Sequence, residues 1–194
     1  VDPQSTLHHD VIEREKERFG GFKFGSAFFG WLTAMGTAVL LTALVAAIGA
    51  AIGLNSGTTV DDAADAAAEN TVAVTVVSAI VIGLVLLVSY FAGGYVAGRM
   101  ARFDGLKQGF AVWIWAVVIA IVVAVITAVA GSQWDILGNL GGFPRIPVTP
   151  ETATTTGILS AVGAAIVTLV GALLGGMAGM RYHRRVDRVG LGRR

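Results

Sequence analysis

Apolar residues run through this chain in long stretches that have no polar side. Charged residues are absent between Lys23 and Asp61, between Glu69 and Arg99, between Lys107 and Asp135, and between Glu151 and Arg181. A helix crossing the hydrocarbon core of a bilayer needs about 20 apolar residues, and each window is long enough to hold one. The pattern predicts helices at about 26–54, 71–98, 108–131 and 157–180. A barrel strand would alternate with a period of two over about ten residues. VSAIVIGLVLLVSYFAGG does not alternate, so these are bundle helices. The first two, ~28 residues and so ~42 Å by helical rise, exceed the ~30 Å slab and are expected to tilt or project from it. The run from Ser26 to Leu54 also exceeds the roughly 7 to 15 apolar residues of a cleaved signal peptide, and is read as a retained anchor.

The pattern also repeats. FGGFKFGSAFFGW at 19–31 and FDGLKQGFAVWIW at 103–115 share six of thirteen positions: Phe19, Gly21, Lys23, Gly25, Ala27 and Trp31 meet Phe103, Gly105, Lys107, Gly109, Ala111 and Trp115 at an offset of 84. At an offset of 82, Ser78 and Ala79 meet Ser160 and Ala161, Leu87 and Val88 meet Leu169 and Val170, Gly93 and Gly94 meet Gly175 and Gly176, and Arg99 meets Arg181. This reads as a tandem duplication of one helical hairpin. Each unit crosses twice, so any pseudo-twofold axis runs along the membrane normal. The competing account is convergence, since membrane interfaces reuse Gly, aromatic and basic residues. The expected class is therefore an all-α integral membrane protein: four transmembrane helices as two tandem parallel-repeat hairpins, with a short N-terminal cytoplasmic or interfacial helix. Its parts are a charged N-terminal segment (1–25), a first hairpin (26–102), a second hairpin (103–180) and a basic tail (181–194).

Composition agrees, with 55% hydrophobic residues, 14% charged residues and a mean hydropathy of +0.73 over 194 residues, too apolar for an ordinary soluble domain. Charge sets the orientation. Of 14 Lys and Arg residues, all but Arg145 fall before the first helix, between the second and third, or after the fourth. Lys and Arg stay preferentially on the cytoplasmic side. Both termini are thus expected in the cytoplasm, with Lys23, Lys107, Arg99 and Arg181 at the cytoplasmic interface and the loops near 55–70 and 132–156 outside. The long stems of Lys23 and Lys107 suit snorkelling to headgroups. Trp31 and Trp115, eight residues further on, lie ~12 Å deeper by helical rise, which favours packing between the repeats over interfacial anchoring.

Glycine spacing supplies the candidate contact faces. Gly94 and Gly98 form a G-x-x-x-G, Gly49 and Gly53 another, and Gly171, Gly175 and Gly179 a double one. Residues four apart share a helix face, and without side chains two backbones approach closely. Such faces serve contacts within the bundle or the seam of a homo-oligomer, and the spacing does not choose between them.

The stretch SYFAGGYVAGRMARFDGLKQGFAVWIW, with Gly93, Gly94, Ala97, Gly98, Arg99, Gly105 and Gly109, resembles the YrzE-like bacterial membrane proteins, small multi-spanning chains of unassigned activity. The likeness covers about 25 residues and implies a membrane protein, without implying a mechanism. With the charge asymmetry, it sets the expected location as a bacterial cytoplasmic (inner) membrane.

The remaining segments are polar. Glu13 to Lys16 and Glu15 to Arg18 are supportive helical spacings, so LHHDVIEREKERFGG is expected to form a solvated or docking helix broken by Gly20 and Gly21. The tail RYHRRVDRVGLGRR suits anionic lipid headgroups, each basic residue near the surface contributing about 1 kcal/mol; no nucleic acid partner is expected. Asp61, Asp65 and Glu69 share one face if their loop is helical, but lack the Gly turn of a calcium loop.

No catalytic, cofactor-binding or metal-binding residue is assigned. The chain has no Cys, which excludes thiol nucleophiles and disulfides. His8 and His9 are adjacent, and His183 lies in the tail, so none forms a helical metal pair. No ionisable residue stands at depth, where proton or ion coupling normally keeps one. Two function classes remain. One is a non-enzymatic packing or accessory subunit, with a membrane protein partner or as a homo-oligomer. The other is a small channel or transporter, its path lined by Thr33, Thr37, Thr42, Ser78, Ser89, Tyr90 and Thr168.

Overall fold

A computed structural model describes residues 11, 13, 14, 17, 18, 20–101, 103–130 and 155–190. Five helices follow one another: α1 (Phe24–Ser56), α2 (Val60–Glu69), α3 (Thr71–Met100), α4 (Gly105–Ala130) and α5 (Thr155–Gly190). No strand occurs among the described residues. Four segments are long and apolar enough to cross a membrane: Phe24–Ser56, Thr71–Met100, Gly105–Ile126 and Gly157–Arg181. This is an all-α, multi-pass integral membrane architecture. Val11, Glu13, Arg14, Glu17 and Arg18 are helical and exposed. The loop expected outside near 132–156 falls almost wholly, with Trp134 and Arg145, outside the described residues.

The chain's local chemistry explains where helices stop. α1 ends because Gly57 adopts the left-handed conformation (φ 67), its amide returning to the Gly53 carbonyl, a conformation glycine takes without a Cβ penalty. α2 starts at a capping box: the Thr59 hydroxyl accepts from the Asp62 amide, and the Asp62 carboxylate accepts from the Thr59 amide. That satisfies two otherwise orphaned donors. α5 does not stop at the end of its apolar run but continues as one helix from Thr155 to Gly190.

The helices pack as two antiparallel hairpins, α1 with α3 and α4 with α5. The most extensive contact joins α3 to α5, which run parallel. Their backbones meet at Leu87 and Gly171, Phe91 and Gly175, Tyr95 and Gly179, and at Gly94 and Ala172, Gly98 and Gly176. The sequence separations of these pairs, 84 and 78, bracket the offset of 82 between matching residues. α1 and α4 also run parallel, the hydrogen bonds at and just before their starts joining residues 83, 85 and 82 apart.

Among the described residues, burial is confined to one end. Buried positions fall within 26–38, 89–101, 105–112 and 168–179, next to Lys23, Arg99, Lys107 and Arg181. Ala27, Ala34, Tyr90, Ala97, Ala111, Val112 and Ala172 form the core there, with Trp31, Trp113 and Trp115 against it. Toward the opposite end the helices diverge. Every residue in 42–52, 71–80, 120–126 and 158–163 is exposed, so these helical arms are little covered by their neighbours. Their surface is apolar, and a bilayer solvates it at no cost.

Candidate functional site

The packed end contains two constructions, one made of backbone and one of polar side chains. The first lies between α3 and α5. A Cβ on Gly98 would stand 2.5 Å from the Gly176 carbonyl oxygen, and one on Gly171 2.6 Å from the Leu87 carbonyl oxygen. On Gly94 it would meet the Ala172 carbonyl, on Gly175 the Phe91 carbonyl, and on Gly179 the Tyr95 carbonyl. The structure thus brings these five glycines to one interface. Gly49, of identical spacing, has nothing within 4 Å. Gly30 and Gly93 face each other between α1 and α3, while Gly105 and Gly109 lie against α5.

The second construction is a clasp between the lead-in of the first hairpin and the start of the second. Gln108, on the first turn of α4, has no exposed surface. Its Nε2 donates to the Gly21 carbonyl at 2.8 Å, while its Oε1 accepts from Ser26 Oγ at 3.0 Å and from the Lys23 amide at 3.3 Å. Asp104, just before α4, accepts the Gly21 amide on Oδ2 at 3.1 Å and the Lys107 ammonium at 3.4 Å. Gly21 takes a φ of 91, and Asp104 is left-handed at φ 57, where Asp is among the few tolerated non-glycine residues. α1 has no side-chain cap of its own, so the second hairpin caps the first. Replacing Gln108 with an apolar residue would leave its partners unpaired in a water-poor site, at about 1–3 kcal/mol.

Aromatic residues extend the clasp inward. Trp115 Nε1 donates to the Phe24 carbonyl at 3.3 Å, and its ring stands edge-on to Phe28 at 5.4 Å. Trp113 Nε1 reaches the Ala165 carbonyl at 3.1 Å, tying α4 to α5. Each buried side-chain nitrogen and oxygen among the described residues has a partner.

The interface residues named from charge lie at this end: Lys23 and Lys107 exposed, Arg99 half-buried in the last turn of α3, Arg181 exposed on α5. Past Arg181, positions 184, 185 and 188 share its helix face by register. The hydroxyls weighed as path-lining turn elsewhere: Thr33 donates to the Phe29 carbonyl, Ser89 to that of Val85, and Thr168 to those of Ala164 and Ala165. Each bonds the preceding turn of its own helix. Thr42 and Ser78 lie on the exposed arms.

Sequence reasoning missed Asp104 and Gln108. One signal was present: 84 residues earlier stand Gly20 and Phe24, so both clasp residues break the repeat. No family model, curated protein or solved structure matches this chain.

Proposed function

We propose that this protein is a non-enzymatic packing or accessory subunit of a membrane assembly, formed with another membrane protein or with further copies of itself. One observation carries the reading: the spanning hydroxyls Thr33, Ser89 and Thr168 bond back to their own helices, and the buried polar groups of the packed end are engaged in the clasp around Gln108, which favours packing over a polar path. The exposed arms support it, since α1 and α3 each offer more than two helical turns of exposed apolar surface, and α4 and α5 between one and two turns, to neighbouring helices or lipid. In this reading the two hairpins are a tandem duplication about an axis along the membrane normal. The matching separations across α3 with α5 and α1 with α4 support that relation. Both termini face the cytoplasm, in a bacterial inner membrane, and the basic face beyond Arg181 lies against anionic headgroups.

Mass measurement of the tagged protein, purified from its native membrane in mild detergent, tests the proposal. A stoichiometric complex larger than the 20.0 kDa chain is expected. A monomer that conducts ions in liposomes, with flux abolished by Thr42→Ala or Ser89→Ala, would replace it with a small channel.

A further inference from the structure

We infer that Asp104 and Gln108 form a latch holding the seam between α1 and α4 shut, and that this seam is where the packed end of the bundle opens. The two parallel contacts at this end are built differently. Between α3 and α5, backbone lies on backbone at Gly94, Gly98, Gly171, Gly175 and Gly179. No side chain there can swing aside, so the pair acts as a fixed spine. The pairing of α1 with α4 is the least extensive of the five that build the packed end. It is held mainly by side chains: the Gln108 amide, the Asp104 carboxylate, the Trp115 indole and the Phe28 ring. Those contacts break without disturbing either helix's own hydrogen-bond ladder. Packed interfaces of this kind switch between discrete arrangements and do not deform continuously.

The latch is one-sided. The residues matching Asp104 and Gln108 in the first hairpin are Gly20 and Phe24, which offer no polar side chain, and Phe24 is 69% exposed. At these two positions only the second hairpin supplies a polar side chain. Its hold falls on Gly21, Lys23 and Ser26, where the chain passes from the N-terminal segment into α1. Withdrawing Gly21 from Gln108 and Asp104 therefore frees the lead-in and first turn of α1 from α4, while α1 stays on α3 at Gly30 and Gly93 and α3 stays on the spine. This inference concerns the chain itself and is independent of what binds it.

The absence of cysteine allows spin labels to be placed in chosen pairs on this chain in lipid nanodiscs. Phe22 and Leu106, both exposed beside the seam, report the approach of α1 to α4; Met100 and Met177, also exposed, report the spine. In Gln108→Leu, electron paramagnetic resonance should find a second, longer population for the 22–106 pair and an unchanged 100–177 pair. Ser26→Ala, which removes one donor to Gln108, should give a smaller longer population. A 22–106 distribution identical to the parent's would overturn the latch. Lengthening of both pairs together would overturn it equally, making Gln108 a general packing residue. If Gln108→Leu does not fold, Ser26→Ala decides: an unchanged distribution there removes the inference.

Discussion

At the scale of single residues, glycines of identical spacing do different work. Gly175 lies where a Cβ would strike the Phe91 carbonyl, whereas a Cβ on Gly49 would stand in open space. A methyl group forced against a backbone carbonyl moves two helices apart, and overpacking of this kind costs about 1–3 kcal/mol. Gly175→Ala should therefore lower the unfolding midpoint in mild micelles. Gly49→Ala should leave it unchanged or raise it, since alanine favours a helix over glycine by about 1 kcal/mol. Equal losses in the two variants would mean that Gly49 meets a partner this chain alone does not supply. The i, i+4 spacing marked both residues, because it reports a shared helix face but not what stands opposite. Gln108 was illegible for a related reason. One neutral polar residue in the first turn alters neither hydropathy nor charge, and only its departure from the repeat at Phe24 sets it apart.

At the scale of elements, the four spans were legible because an uncharged run of this length has few other solutions. Their ends were less so: α1 and α4 begin two and three residues earlier than hydropathy placed them, and α5 runs on to Gly190 through arginines that favour helix. α2 was anticipated only conditionally, although Thr59 and Asp62 have the spacing of a capping box. That box makes α2 sensitive to acid. The Thr59 hydroxyl, then the Thr59 amide, hold the Asp62 carboxyl below its ordinary 3.8. A carboxyl lowered on folding contributes stability above its unfolded value, and that contribution is lost as pH falls through the folded one. Amide exchange across residues 63–69 should therefore be slow at pH 6 relative to intrinsic rates, with protection falling below about pH 4. Thr59→Ala should expose the same amides at pH 6 and flatten the pH dependence. Protection that survives to pH 2 in the parent would show that the box does not hold α2.

At the scale of the whole molecule, the core, the clasp and the basic residues gather at one end, and the acidic α2 stands at the other. This polarity follows from the chain order. Two hairpins, each starting and ending on the same side, put the starts of α1 and α4 beside the ends of α3 and α5, and those are the regions where Lys23, Lys107, Arg99 and Arg181 lie. Reversing the molecule in the membrane would carry 13 of its 14 Lys and Arg residues across the bilayer, against the strongest known determinant of orientation. It would also leave Asp61, Asp62, Asp65 and Glu69 on the cytoplasmic side. A cysteine at Asp65 should accordingly react with a membrane-impermeant maleimide in intact cells, while one at exposed Leu106 should react only after the membrane is opened. The opposite pattern would invert the topology, placing the clasp outside the cell and removing the cytoplasmic face assigned to the basic helix beyond Arg181. The fold itself would survive that result, because its contacts depend on which helix ends meet and not on which compartment they face.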